Sequence, residues 1–208
     1  MLKAELHVHS TYSDGIDRVE KIVDIALERG LDVIAITDHD TIQGSLSAID
    51  YVRDEHLEIE AIPALEISTS NGHLLAFFLE DEVESGMSLV ETVDAVRKNG
   101  GISIISHPFQ IERRGVFKPS LFSYADGIEV FNAKYIFGIS NLLAERIARR
   151  LGKAGIAGSD AHSAKEVGFG ITTFQGDLRR DIEEGKTGII PRKIPLKTQF
   201  SYFFKRRF

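Results

Sequence analysis

Val33-Ile34-Ala35-Ile36-Thr37-Asp38-His39-Asp40 is an apolar run that stops abruptly in three titratable side chains. A strand with one wet face alternates apolar and polar residues, whereas a strand covered on both faces reads as an unbroken apolar run. The stretch therefore predicts a parallel-type strand inside an α/β layer structure, with Asp38, His39 and Asp40 at its carboxyl end. In such folds that end of the strand carries the chemistry.

On the N-terminal side, residues 17–29 hold Val19, Ile22, Val23, Ala26 and Leu27 at helical spacing, with Asp17 as the expected N-cap and Gly30 as the stop. Before them, Leu6-His7-Val8-His9 reads as a first strand. Side chains alternate across a strand, so His7 and His9 share one face and Leu6 and Val8 the other. Asp14, on the turn that ends in Gly15, can swing back toward the two imidazoles, and nitrogen and oxygen donors converging in this way suit a transition metal.

The same arrangement recurs downstream. Residues 44–53 predict a helix and residues 59–67 a third strand that ends near Glu66. Only residues 68–72 separate it from the strand opening on His73. That is too short for a parallel crossover, so a hairpin should put His73 at the same end of the sheet as Glu66. After a helix over 88–98, Ile102-Ser103-Ile104-Ile105 leads into Ser106-His107-Pro108, where the proline forces the chain out of the strand. A strand over 127–132 and a helix over 140–151 precede Gly155-Ile156-Ala157-Gly158, which delivers Ser159-Asp160-Ala161-His162. A short strand over 168–174 and a helix over 178–184 follow. Strand and helix alternate with polar residues at strand ends, as in an α/β barrel or wound sheet; ligands drawn from both ends of the chain favour the barrel, which brings first and last strands together. Of the seven histidines, only His56 lies in a plain charged segment and reads as surface.

Composition narrows the chemistry. The 208 residues, 43% hydrophobic, suit one compact domain. With no cysteine, disulfides and thiolate metal sites are excluded, and any metal must be held by nitrogen and oxygen. No run of roughly 18 apolar residues occurs, and a first candidate ligand at residue 7 leaves no room for a cleaved signal segment, so a soluble cytoplasmic protein is expected. The net charge of −6 is uneven: residues 186–208 hold seven Lys or Arg and no acid, leaving 18 basic against 31 acidic groups before them. An acidic body suits a site where cations reverse the local sign.

Taken jointly, His7-x-His9, Ser13-Asp14-Gly15, Thr37-Asp38-His39-Asp40, Glu66, His73, Ser106-His107-Pro108 and Gly158-Ser159-Asp160-Ala161-His162 resemble the PHP family, the polymerase and histidinol phosphatase domain, over roughly residues 1–170. The resemblance implies a distorted seven-stranded β/α barrel holding two or three divalent ions (manganese, zinc, iron or magnesium). By motif, His7, His9, Glu66 and Asp160 would hold the first, Glu66, His73 and His107 the second, and Asp14, His39 and His162 the third. The Ser-Asp-Gly and Thr-Asp-His-Asp-Thr segments are closest to the branch of nucleoside 3′,5′-bisphosphate phosphatases and short-RNA 5′-exonucleases. Those relatives often carry an insertion after the fourth strand, for which residues 79–88 leave no room.

Clustered divalent ions can bind phosphate oxygens, activate water and neutralise a leaving oxygen. The expectation is a phosphoesterase that hydrolyses the phosphate monoester of a small, nucleotide-like metabolite through metal-activated hydroxide. Within it, His39 or His162 would protonate the leaving alcohol and Asp38 would orient a ligand histidine. Arg113 and Arg114 form a candidate phosphate clamp or a solvated loop pair, Asn132 a substrate or supporting hydrogen bond, and Glu129 a neighbouring-strand or surface contact. The aromatic, basic tail over 197–208 suggests three roles: stacking on a short oligonucleotide, resting on an anionic membrane, or packing on the barrel. An exonuclease on short RNA or DNA and a non-catalytic metal-binding scaffold are the competing functions.

Overall fold

The computed structural model describes residues 1–135 and 138–199; residues 200–208, most of the aromatic basic tail, lie outside the described residues. In chain order the regular elements are β1 (Leu2–Glu5), α1 (Val19–Glu28), β2 (Val33–Ile34), α2 (Gln43–Asp54), β3 (Glu60–Ala61), β4 (Ala64–Thr69), β5 (Gly72–Phe77), α3 (Leu89–Lys98), β6 (Ile102–Ile105), β7 (Gly127–Asn132), α4 (Ile139–Leu151), β8 (Ala154–Gly158), β9 (Gly170–Phe174), α5 (Leu178–Glu183) and β10 (Gly188–Pro191). The strands form two mixed five-stranded sheets, ordered β10-β9-β1-β2-β3 and β4-β5-β6-β7-β8. Strands β1, β2 and β3 run parallel, as do β6, β7 and β8, while β4-β5-β6 and β1-β9-β10 are antiparallel.

The expected closed seven-stranded ladder is therefore replaced by two sheets that are not closed on each other. They touch through two isolated parallel bridges, Val8 with Ala161 and His39 with Glu66. One break has a local cause. Pro63, between β3 and β4, has no N–H to give a ladder, so the single strand expected over 59–67 divides there. The expected hairpin is present: β4 and β5 are antiparallel, with Glu66 opposite Leu75 and Ser68 opposite His73.

The continuous apolar runs have two destinations. Leu75, Phe77, Ile102, Ile104 and Ile156 of one sheet pack with Ala4, Leu6, Val33 and Ala35 of the other, forming the inner layer. Their neighbours Leu74, Ile105 and Ile128 face outward under Val93, Val96, Ala144 and Ala148 of α3 and α4. Ile34 and Ile36 lie under Ile22, Val23 and Ala48 of α1 and α2. Every position along such a strand is buried, and each fully buried Leu or Ile contributes about 1.5–3 kcal/mol.

Three local expectations need correction. The opening strand is Leu2–Glu5, and residues 6–9 follow it, with Val8 in an isolated bridge. Helix α1 is capped by Arg18 without a side-chain bond, and Asp17 instead accepts the Ala164 N–H at 2.8 Å, tying the first helix to the segment after β8. Strand β10, a short Gly-Ile-Ile-Pro run, was not expected; it pairs with β9 from Gly188 to Pro191. Among the described residues no helix is long and apolar enough to cross a membrane.

Candidate metal centre

Glu66 is the hub of the site. Its carboxylate is 1% exposed and lies among five imidazoles: His7 Nε2, His9 Nε2 and His39 Nδ1 are each 3.4 Å from Oε2, with His73 Nδ1 at 3.4 Å and His107 Nε2 at 2.9 Å from Oε1. Oε1 also accepts the Ser106 hydroxyl at 2.6 Å. The first sheet contributes His7 and His9 from the segment that follows β1 and His39 from the segment that follows β2. The second contributes Glu66, His73 and His107 from β4, β5 and the end of β6, together with Asp160 and His162 after β8. His107 and Asp160 hold positive φ angles of 24° and 52°, a left-handed backbone that costs a non-glycine residue about 1–3 kcal/mol and gathers at functional sites.

All nine expected metal ligands come together. Among the described residues, four groups have donor atoms within 4.8 Å of one another: His7, His9 and Glu66; His7, His107 and Asp160; His9, Asp14 and His162; His39, Glu66 and His73. The partition differs from the expected one, because His39 turns Nδ1 toward Glu66 and His9 leans toward Asp14, 3.7 Å away. His162 Nε2 is 3.2 Å from Asp14.

Hydrogen bonding tests whether cations fit. His7 Nε2, both nitrogens of His9, His39 Nδ1, His73 Nδ1, His107 Nδ1 and Glu66 Oε2 are shut off from water with no hydrogen-bond partner. Orphaned buried polar atoms are costly, and so many in one cluster of hard and borderline donors fits divalent metal ions. The electrostatics agree. Burial opposes ionisation of Glu66, but His7 and His107 hold its pKa well below the usual range. Asp160 is likewise held down against burial, by Arg113 and then His7. Burial and the neighbouring His162 push His9 well below its ordinary value, so its nitrogens are available as neutral ligands. His7, despite burial, is held up by Glu129, Glu66 and Asp160.

The remaining site expectations separate. Arg113 enters the site, its guanidinium paired with Asp160, whereas Arg114 is exposed, so the two do not form a clamp. Asn132 is buried and donates to Asp160 Oδ2 at 3.1 Å, holding a ligand. Asp38 does not orient a ligand histidine. It accepts Ser10 N–H at 2.7 Å, Ser10 Oγ–H at 2.6 Å and Ser13 Oγ–H at 2.5 Å, and so fixes the turn that carries Asp14. Gly44 allows this, because a Cβ there would overlap the Asp38 carboxylate.

Glu129 is the neighbouring-strand contact rather than the surface one, and Lys134 escaped the sequence reading. Glu129 is fully buried, with Oε1 3.0 Å from His7 Nδ1 and Oε2 accepting the His107 N–H at 2.6 Å. Lys134, just past β7, is buried with Nζ 2.7 Å from His162 Nδ1 and 3.5 Å from Glu166, and burial lowers its pKa. A lone lysine after a strand carries no sequence signal for this role.

Comparison with known families resolves the class of the site. The PHP domain matches residues 5–137, and the PHP-associated region matches residues 138–187. The chain belongs to the PHP family. Among relatives, the uncharacterized protein MJ1587 of Methanocaldococcus jannaschii is 30% identical over 154 residues, covering 69% of this chain and 89% of its own length. A 5′-3′ exoribonuclease of Haemophilus influenzae is 30% identical over 141 residues, 64% of this chain but 48% of that protein. A solved two-domain Bacteroides vulgatus protein, described as containing a predicted PHP-like metal-dependent phosphoesterase, shares the fold with a TM-score of 0.74 at 23% identity, over 98% of this chain and 69% of that one.

Proposed function

We propose that this PHP chain hydrolyses the phosphate monoester of a small, nucleotide-like metabolite with the help of divalent metal ions. The observation that carries the reading is Glu66 amid five imidazoles whose facing nitrogens are largely unbonded, with two buried or half-buried cations, Arg113 and Lys134, on the Asp160 and His162 side. Metal ligands would be His7, His9, Asp14, His39, Glu66, His73, His107, Asp160 and His162. Ions bound there would supply Lewis acidity toward phosphate oxygens and lower the pKa of water.

The chain's own residues do the rest. Arg113 and Lys134 present N–H donors to phosphoryl oxygens, Arg113 exchanging its bond to Asp160 for one to substrate. His39 is 28% exposed at its side chain, the most open imidazole of the cluster, and can deliver a proton from Nε2 to the leaving alcohol; His162 is the alternative donor. Asp38 and Asn132 keep the Asp14 turn and Asp160 in place.

The test is a substrate panel on full-length protein stripped of metal and reloaded with manganese, zinc or magnesium: nucleoside 3′,5′-bisphosphates, histidinol phosphate and short RNA. Inorganic phosphate released from a small compound, and lost in Asp160→Ala, supports the reading. The exoribonuclease relative and the basic tail favour a second reading, nuclease action. Mononucleotide release from RNA, with affinity that falls steeply with salt and on deleting residues 197–208, would replace the phosphatase by it. Silence across the panel with metal bound would leave a scaffold.

A further inference from the structure

Glu129 belongs to none of the metal-holding groups, yet it is as deeply buried as any ligand and touches two of them. Both of its oxygens are occupied by nitrogen donors, His7 Nδ1 at 3.0 Å and the His107 backbone N–H at 2.6 Å, so it is not itself a ligand. We propose that Glu129 is the positioning residue of the metal centre, fixing the His7 ring with its proton on Nδ1 so that the Nε2 lone pair faces the metal-binding space. This rests on His7 being a metal ligand, as in the proposed function.

Three features support it. The carboxylate accepts only, so the His7 nitrogen facing it must carry hydrogen. Nε2 is then left toward Glu66 Oε2 at 3.4 Å and Asp160 Oδ1 at 3.9 Å, bonded to neither. The opposite tautomer would place a proton in that space and set two lone pairs against each other at Nδ1.

Second, strand β7 is built to reach this geometry. Pairing with β8 skips a residue between Glu129 and Phe131, a bulge at Val130. In a regular strand residues three apart face opposite sides; the bulge turns the phase, so Glu129 and Asn132 face the same site, their polar atoms 3.4 Å apart. Asn132 in turn donates to Asp160, so one carboxylate and one amide hold three ligands.

Third, room for the pair is cleared by Gly158, where a Cβ would overlap both the His7 Cβ and Glu129 Oε1. A carboxylate behind a ligand histidine raises its basicity as well as orienting it, and loss of such a partner weakens metal binding about 10–100-fold.

The test reads binding and tautomer rather than turnover, so it stands whether or not the chain proves to be a phosphatase. Zinc ion is titrated calorimetrically into stripped full-length wild type, Glu129→Gln and Gly158→Ala. Ring 15N chemical shifts of His7, assigned by their loss in His7→Gln, are recorded with zinc bound. Expected are a proton on Nδ1 of His7 in wild type and zinc affinity about 10–100-fold lower in both variants. Asp126→Asn, which alters a half-buried acceptor of the Ser103 N–H and hydroxyl outside the metal-holding groups, is the control for destabilisation: it should lower the melting temperature and leave zinc affinity and the His7 shifts unchanged. Wild-type affinity in a folded Glu129→Gln would overturn the proposal. So would a proton on Nε2 of His7 in the zinc-loaded wild type, a result that needs no variant to fold.

Discussion

Replacing Glu5 by Gln should remove a pH dependence of stability that runs in the reverse sense from that of most carboxylates. Glu5, at the end of β1, is wholly buried and accepts bonds from His7 N–H at 3.3 Å, Ser159 N–H at 2.9 Å, Gly168 N–H at 2.7 Å and the Ser159 hydroxyl. Burial pushes its pKa from 4.5 up to about 7, and the bonds from Ser159, Gly168 and His7 only partly oppose the rise. A carboxyl with a raised folded-state pKa binds its proton more tightly in the native chain. Its stabilising contribution is complete below pH 4.5 and is lost as pH rises through about 7. At about 1.4 kcal/mol per unit, the loss is roughly 3 kcal/mol.

Gln cannot ionise, but its amide NH2 must face one of the surrounding N–H donors, at a cost of about 1–3 kcal/mol at every pH. Wild type should therefore be the more stable by about 2 kcal/mol near pH 5, and the two should cross before pH 8, where the variant is equal or better. Urea unfolding at pH 5, 6, 7 and 8, followed by circular dichroism in chelator to remove metal linkage, measures the difference directly. A gap that stays constant over this range would refute a raised Glu5 pKa.

Gly44→Ala should cost about 1–3 kcal/mol through overlap with Asp38 and Ile36. It should also weaken binding at the Asp14 group, read as a lower zinc stoichiometry or affinity. Because the orphaned imidazoles exist only in the folded chain, zinc at about 100 times its Kd should stabilise the protein by about 2.7 kcal/mol, and chelator should reverse the shift in melting temperature. An unchanged melting temperature would count against a preformed centre.

The clustering of the candidate ligands was legible because period-two alternation and turn length are local properties. His7 and His9 share a face by parity, and the short hairpin, whose loop is Ser70 and Asn71, brings His73 back to the Glu66 end of the sheet. What was hidden depended on departures from regularity or on distant neighbours. Parity puts Glu129 opposite Asn132, and only the bulge at Val130 reverses that. Asp38 follows a strand end as a ligand-orienting residue would, but the serines that claim it lie 25 and 28 positions away in sequence. Arg113 and Lys134 reach the centre from irregular segments whose paths no residue pattern encodes. The open sheets were equally hidden: alternating strands and helices fit a ring or two halves, and the break at Pro63 depends on which neighbours its backbone would have met.

The two halves meet at the metal centre, with His9, Asp14 and His39 on one side and Glu66, His73 and Asp160 on the other. Beyond the shared apolar layer, the seam there is fastened by the bridges at Val8 and His39 and by side-chain bonds such as Glu5 with Ser159 and Glu129 with His7. Ions gripped from both sides would act as rivets across that seam, making occupancy and closure one event. The amides of His9 and Ala161, which bond across it to Ala161 O at 2.7 Å and His7 O at 3.2 Å, would then exchange with solvent at a rate that tracks metal loading, while the β6-β7-β8 ladder keeps its own protection.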